Sequence, residues 1–203
     1  MTHAAGIAQW IQDLAASDAR LKSESGMRLY LAGVSLCTPL LSRWVSDPEF
    51  RELTLPGKPA DAPHGHFGPS AIVVGIAVHP ETFQKIRAAN NSPRLAQVPA
   101  DQDAQEFELH PDASIELDIL TTSQPEGPGA ISRFLQKFGE GIQQIEIYVR
   151  DVDRATEILR TRFALEPLYP ATRAGADGTR VNFFLAAAPD AKKVLIEFVE
   201  AAS

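Results

Sequence analysis

The sequence predicts an α+β protein in which an all-helical N-terminal region precedes two tandem βαβββ modules. Three observations carry this. Apolar residues recur at helical spacing up to about residue 54. A stretch dense in proline and glycine then intervenes, and beyond it a strand, a helix and a closing hairpin occur twice in the same order. The expected division is a helical extension over 1–54, a linker over 55–70 and a larger domain over 71–203, with modules at about 71–122 and 142–200.

Ile7, Trp10, Ile11 and Leu14 fall on one stripe of a first helix. Ser17-Asp18 caps a second, which carries Leu21, Met27, Leu29, Tyr30 and Leu31 and stops near Gly33. Leu36, Leu40, Leu41 and Trp44 define a third, with Pro39 inside its first turns, and Asp47-Pro48 opens a short fourth through Phe50. The run SESGMRLYLAGVSLCTPLLSRWVSDPEF resembles a single helical-hairpin repeat of the HEAT type. One such repeat cannot bury both faces alone, so it is expected to pack on the rest of the chain or on a second subunit.

The linker, LPGKPADAPHGHFGPS, holds four prolines and three glycines, which block helix and strand interiors. AIVVGIAV follows as a β-branched strand closed by His79-Pro80, then a helix from Pro80 to Ala89 carrying Phe83 and Ile86. EFELH and SIELDIL, joined by PDA, read as a hairpin. In the second module QIEIYV is the strand, residues 151–163 are a helix capped by Asp151, and RVNFFLA with KVLIEFVE closes the hairpin.

Hydrophobic residues make up 44% of the 203 and charged residues 22%, proportions that fold rather than stay disordered. A net charge of −7 argues against a nucleic-acid surface, which needs concentrated Lys and Arg. The single Cys37 cannot form an intramolecular disulfide and sits in an apolar run, as a small core residue does. No apolar run approaches the roughly 18 residues of a membrane span, and no signal-peptide pattern opens the chain. A cytoplasmic protein without membrane contact is the expectation.

The segment GPGAISRFLQKFGEGIQQIEIYVRDVDRATEILRTRF, with GTRVNFFL and KVLIEFVE, resembles the second half of methylmalonyl-CoA epimerases, members of the vicinal oxygen chelate (glyoxalase and bleomycin-resistance) superfamily. The likeness covers about residues 71–200 and leaves out the helical region. It implies modules whose sheets curl into a cup, and a homodimer. In that family the cup holds a divalent metal through one residue on the first strand and one on the last strand of each module, commonly two histidines and two Glu or Gln.

Carried onto this chain, the two histidine positions are Val73, which has no donor atom, and Gln144, whose amide oxygen is a weak one. Glu116 and Glu197 stand at the other two. The metal ligands implied are therefore Glu116, Gln144 and Glu197, and the carboxylates that would move a substrate proton are Glu197 and Glu106, with the neighbouring Glu108 as an alternative to Glu106. Read from the residues alone, Glu116 faces either solvent or the cup, because Ser114, Glu116 and Asp118 alternate with Ile115, Leu117 and Ile119. Glu197 lies among apolar neighbours on both strand faces, a costly place for a carboxylate without a partner. Asn182 is either a second cavity residue or a surface amide, and His64, His66, His79 and His110 are the histidines available as replacement ligands. The expectation is a glyoxalase-like protein with a degraded metal site, without cofactor, that binds a small molecule or serves a structural role. The alternative is a divalent-metal-dependent epimerase, lyase or isomerase acting on an acyl-CoA or a small carbonyl compound. Arg133, Lys137, Arg173, Arg180, Lys192 and Lys193 are the cations available for CoA phosphates, or simply a solvated surface.

Overall fold

The computed structural model describes residues 2–54, 72–187 and 193–201. The linker, with His64 and His66, lies outside the described residues. The N-terminal region is α1 (Thr2–Asp13), α2 (Ala19–Trp44) and α3 (Pro48–Leu53). The first module is β1 (Ile72–Ala77), α4 (Pro80–Ala89), β2 (Gln105–Asp112) and β3 (Ile115–Thr121). After α5 (Ala130–Phe138) the second module is β4 (Gly141–Tyr148), α6 (Val152–Phe163), β5 (Arg173–Ala174), β6 (Arg180–Ala187) and β7 (Lys193–Glu200). All the described strands join one curled sheet in the order β2-β3-β1-β4-β7-β6-β5. The first strands β1 and β4 pair antiparallel at its centre, and each lies parallel to its module's last strand, β3 or β7.

The helices start where short acceptors are available. Asp18, Asp47 and Asp151 each accept a first-turn N–H, of Arg20 and Leu21, of Glu49 and Phe50, and of Arg154. The two helices expected on either side of Gly33 are one continuous α2. Gly33 is not a stop: a Cβ there would stand 2.5 Å from Val74 Cγ1, so the glycine lets the helix axis approach β1. Pro39 leaves only the solvent-side carbonyl of Ser35 without its helical donor, which α2 tolerates because both residues are exposed.

The hydrophobic core lies between the helices and one face of the sheet. Leu29, Cys37 and Trp44 of α2 meet Val74, Leu117, Ile147 and Phe198, while Val152, Ala155, Ile158 and Leu159 of α6 join the same cluster. The helical region therefore covers the sheet of its own chain. Trp44, Phe50, Phe184 and Phe198 form an aromatic group with ring centroids 5.1–6.1 Å apart. Exposed ion pairs from Arg162 to Asp47 and Glu49 tie α6 to α3. At one end of the opposite face α5 packs Ile131 and Leu135 on Ala77 and Leu120. No described helix is long and apolar enough to cross a membrane.

Candidate functional site

Because side chains alternate along a strand, the residues between those core positions point to the inner face of the curl. The register sets them side by side: Val73 against Glu146, Glu146 against Glu197, Gly75 against both Asp118 and Gln144, and Glu108 against Asp118. They line a narrow cavity of about 90 Å³, with six strand carboxylates, Glu106, Glu108, Glu116, Asp118, Glu146 and Glu197, in its wall. Asp177 at the rim is held by Arg94 at 2.6 Å.

Gln144 sits over Gly75, where any Cβ would fall 2.5 Å from its Cγ. From there its Nε2 donates to Glu197 Oε2 at 2.7 Å and to Glu146 Oε1 at 3.2 Å. The amide thus satisfies the carboxylate that KVLIEFVE leaves among apolar neighbours. Val73 is 1% exposed and packs with Tyr148, Val181 and Val199. Glu116 is 3% exposed and lines the cavity, which decides between its two placements in favour of the cup. Glu106 and Glu108 have the same strand parity and both line the cavity, so geometry does not separate them. Asn182 faces the other way: it pairs with Phe198 on the helix side and lies 3.4 Å from Thr156 Oγ1 of α6, so it is neither a cavity residue nor a surface amide.

Burial dominates the electrostatics. It pushes the Glu106 carboxyl up to about 8, with the nearby carboxylates of Glu146, Asp177 and Glu108 adding to the rise. Glu197 is raised well above the usual carboxylate range by burial and then by Glu146 and Glu106. Asp118 is raised for the same first reason, with Glu106 and Glu146 next. Burial thus disfavours the charged form of each of these carboxyls. It also raises the Tyr148 phenol.

Glu146 and Asp118 are not among the expected site residues, because neither occupies a position that the family resemblance makes a ligand. Their signal was strand parity, since Glu146 stands two residues from Gln144 and Asp118 two from Glu116. Of the cations considered for phosphate binding, Arg180 pairs with Asp153 and Glu200 and Arg173 with Asp101, while Lys192 lies outside the described residues. His79 is exposed at the start of α4, and its backbone N–H donates to Glu140.

No family model and no curated protein matches the chain. Solved structures do. A methylmalonyl-CoA epimerase from Mycobacterium tuberculosis superposes with a TM-score of 0.52 at 29% identity, over 64% of this chain and 87% of that one. A variant of the Streptomyces coelicolor methylmalonyl-CoA epimerase in complex with 2-nitronate-propionyl-CoA gives 0.52 at 28%, over 64% and 93%. The chain has the vicinal oxygen chelate fold of these epimerases. The likeness spans about two thirds of it, as expected if the helical region has no counterpart in them. At the four positions that the resemblance gives to a metal, the donors present are Glu116, the Gln144 amide and Glu197, with none at Val73. This set consists of oxygen donors and lacks the imidazole nitrogens of a histidine-bound transition ion, while the Gln144 amide nitrogen donates to Glu197 and Glu146.

Proposed function

We propose that the chain is a small-molecule binding protein built on the epimerase fold, and that it does not epimerise methylmalonyl-CoA. The supporting observation is the pairing of Gln144 with Glu197 beside an apolar Val73. Moving a proton at the α-carbon of a thioester requires strong stabilisation of the enolate as well as a base. Here the residue that would act as base accepts a hydrogen bond from an amide, and burial pushes its carboxyl well above the usual carboxylate range. The cavity, about 90 Å³, is well below the roughly 300 Å³ at which ordinary ligand pockets begin, and it suits a molecule of few atoms. A homodimer belongs to the same proposal.

A second reading, the metal-dependent epimerase, is favoured by the 29% identity with the Mycobacterium tuberculosis enzyme. One experiment separates the two. The full chain is incubated with methylmalonyl-CoA in D₂O, with and without added Co²⁺, and α-deuterium is read by mass spectrometry. No incorporation above the uncatalysed rate is expected. Incorporation that disappears in Glu197→Gln would establish the second reading instead.

A further inference from the structure

We infer that Glu108, His110 and Glu116 form a divalent transition-metal site on the β2–β3 wall, one strand outward from the position the fold's relatives would suggest. Each residue offers one ligand atom, and the three atoms all lie within 4.8 Å of one another. His110 Nε2 stands 3.6 Å from Glu108 Oε2. The convergence has a backbone cause. The β2–β3 register runs regularly to the pair Leu109 and Leu117 and then shifts before Asp112 and Ile115. On the regular side of that shift His110 follows Glu108 by two residues and shares its face, and the register continued by one step sets it against Glu116 on the partner strand.

The donor set is one imidazole and two carboxylates. Three such ligands with an open position make a common metal centre, and this mixture favours Zn²⁺ or Co²⁺ over the all-oxygen shells preferred by Ca²⁺ and Mg²⁺. A second, independent observation points the same way. Asp118 stands directly across from Glu108 and two residues from Glu116, is only 7% exposed, and lines the cavity without a hydrogen bond or ion pair among the described residues. A buried carboxyl group without a partner is costly, and a cation beside it would offset that cost. An entry path exists, because Glu108 and His110 also line a second cavity of about 540 Å³ on the outer side of β2.

This inference does not rest on the preceding reading: a metal on the β2–β3 wall does not restore histidines at Val73 and Gln144. The test uses the full chain, stripped with a chelator and titrated with Co²⁺, whose visible absorption reports bound metal. One equivalent is expected. His110→Ala and Glu116→Gln are each expected to weaken binding by about 10-fold or more, whereas Gln144→Ala and Glu197→Gln leave it within about 2-fold. His110 is only half-buried, and matching far-UV circular dichroism of the metal-free variants confirms that they fold. Absence of binding at millimolar Co²⁺, or binding that survives His110→Ala, overturns the site. Loss of binding in Gln144→Ala and Glu197→Gln instead would place the metal at the family position. The readout is absorption and not turnover, so this site can fail while the deuterium experiment upholds the absence of epimerisation, and the reverse.

Discussion

The two faces of the central sheet are made by the same strands and have opposite chemistry. On the helix side Val74, Leu117, Ile145, Ile196 and Phe198 are buried in one apolar cluster. One residue along each strand, the inner face presents Asp118, Glu146 and Glu197, also buried but acidic. Period-two alternation lets one segment carry two roles. The contrast teaches that stability is built on one face and partly surrendered on the other, the pattern expected where a fold supports a site.

The largest effect that would test this division is on the helix side. Phe198 is fully buried against Trp44, Phe50 and Phe184. Phe198→Ala is expected to cost about 3–5 kcal/mol in urea denaturation, and a loss under about 1 kcal/mol would mean that the core is not where the packing puts it. The inner face gives the next effect, with the opposite character. Glu106 and Glu197 have folded-state values raised above their unfolded ones, so the folded protein binds more protons. Stability is therefore fully present below about 4.5, the unfolded value, and is lost as pH rises toward about 8, the folded value of Glu106. With chelator present, melting temperature is expected to fall by several degrees between pH 5 and pH 9, roughly 2–4 °C for each kcal/mol. Glu197→Gln should flatten that slope, and a rising or level profile in the parent protein would contradict the buried charge of the cup. The smallest effect lies off both faces. Arg162→Ala removes exposed ion pairs to Asp47 and Glu49 and is expected to change stability by no more than about 1 kcal/mol.

Much of the architecture was legible because local signals agreed with the fold. The span of α4 from Pro80 to Ala89 follows from a proline start, and the hairpin strands from their alternation. Gly33 misled because a glycine ending a helix and one admitting a neighbour look alike in sequence, and the neighbour, Val74, is far along the chain. The helix α5 was passed over: AISRFLQKF is short and its Gly129 cap offers no side-chain acceptor. At the site, Glu116 and Glu197 were nameable from the resemblance, and Glu146 was not. What brings Glu146 between Val73 and Glu197 is the pairing of β1 with β4 and of β4 with β7, contacts between distant segments that no local pattern encodes. Asn182 was ambiguous for a related reason, since both of its neighbours, Val181 and Phe183, are apolar and parity had no polar face to follow.

The helix α2 belongs to neither module, yet it touches β1, β2 and β3 of the first and β4 and β7 of the second. It acts as a splint across the seam where the duplicated halves meet. Halves joined by an antiparallel edge could trade partners between two chains, one copy's first half closing on another's second. Here such a swap would have to carry the splint along and strip Gly26 from Pro111 or Gly33 from Val74, the two close approaches that seat it. The cup is thereby completed within a single chain.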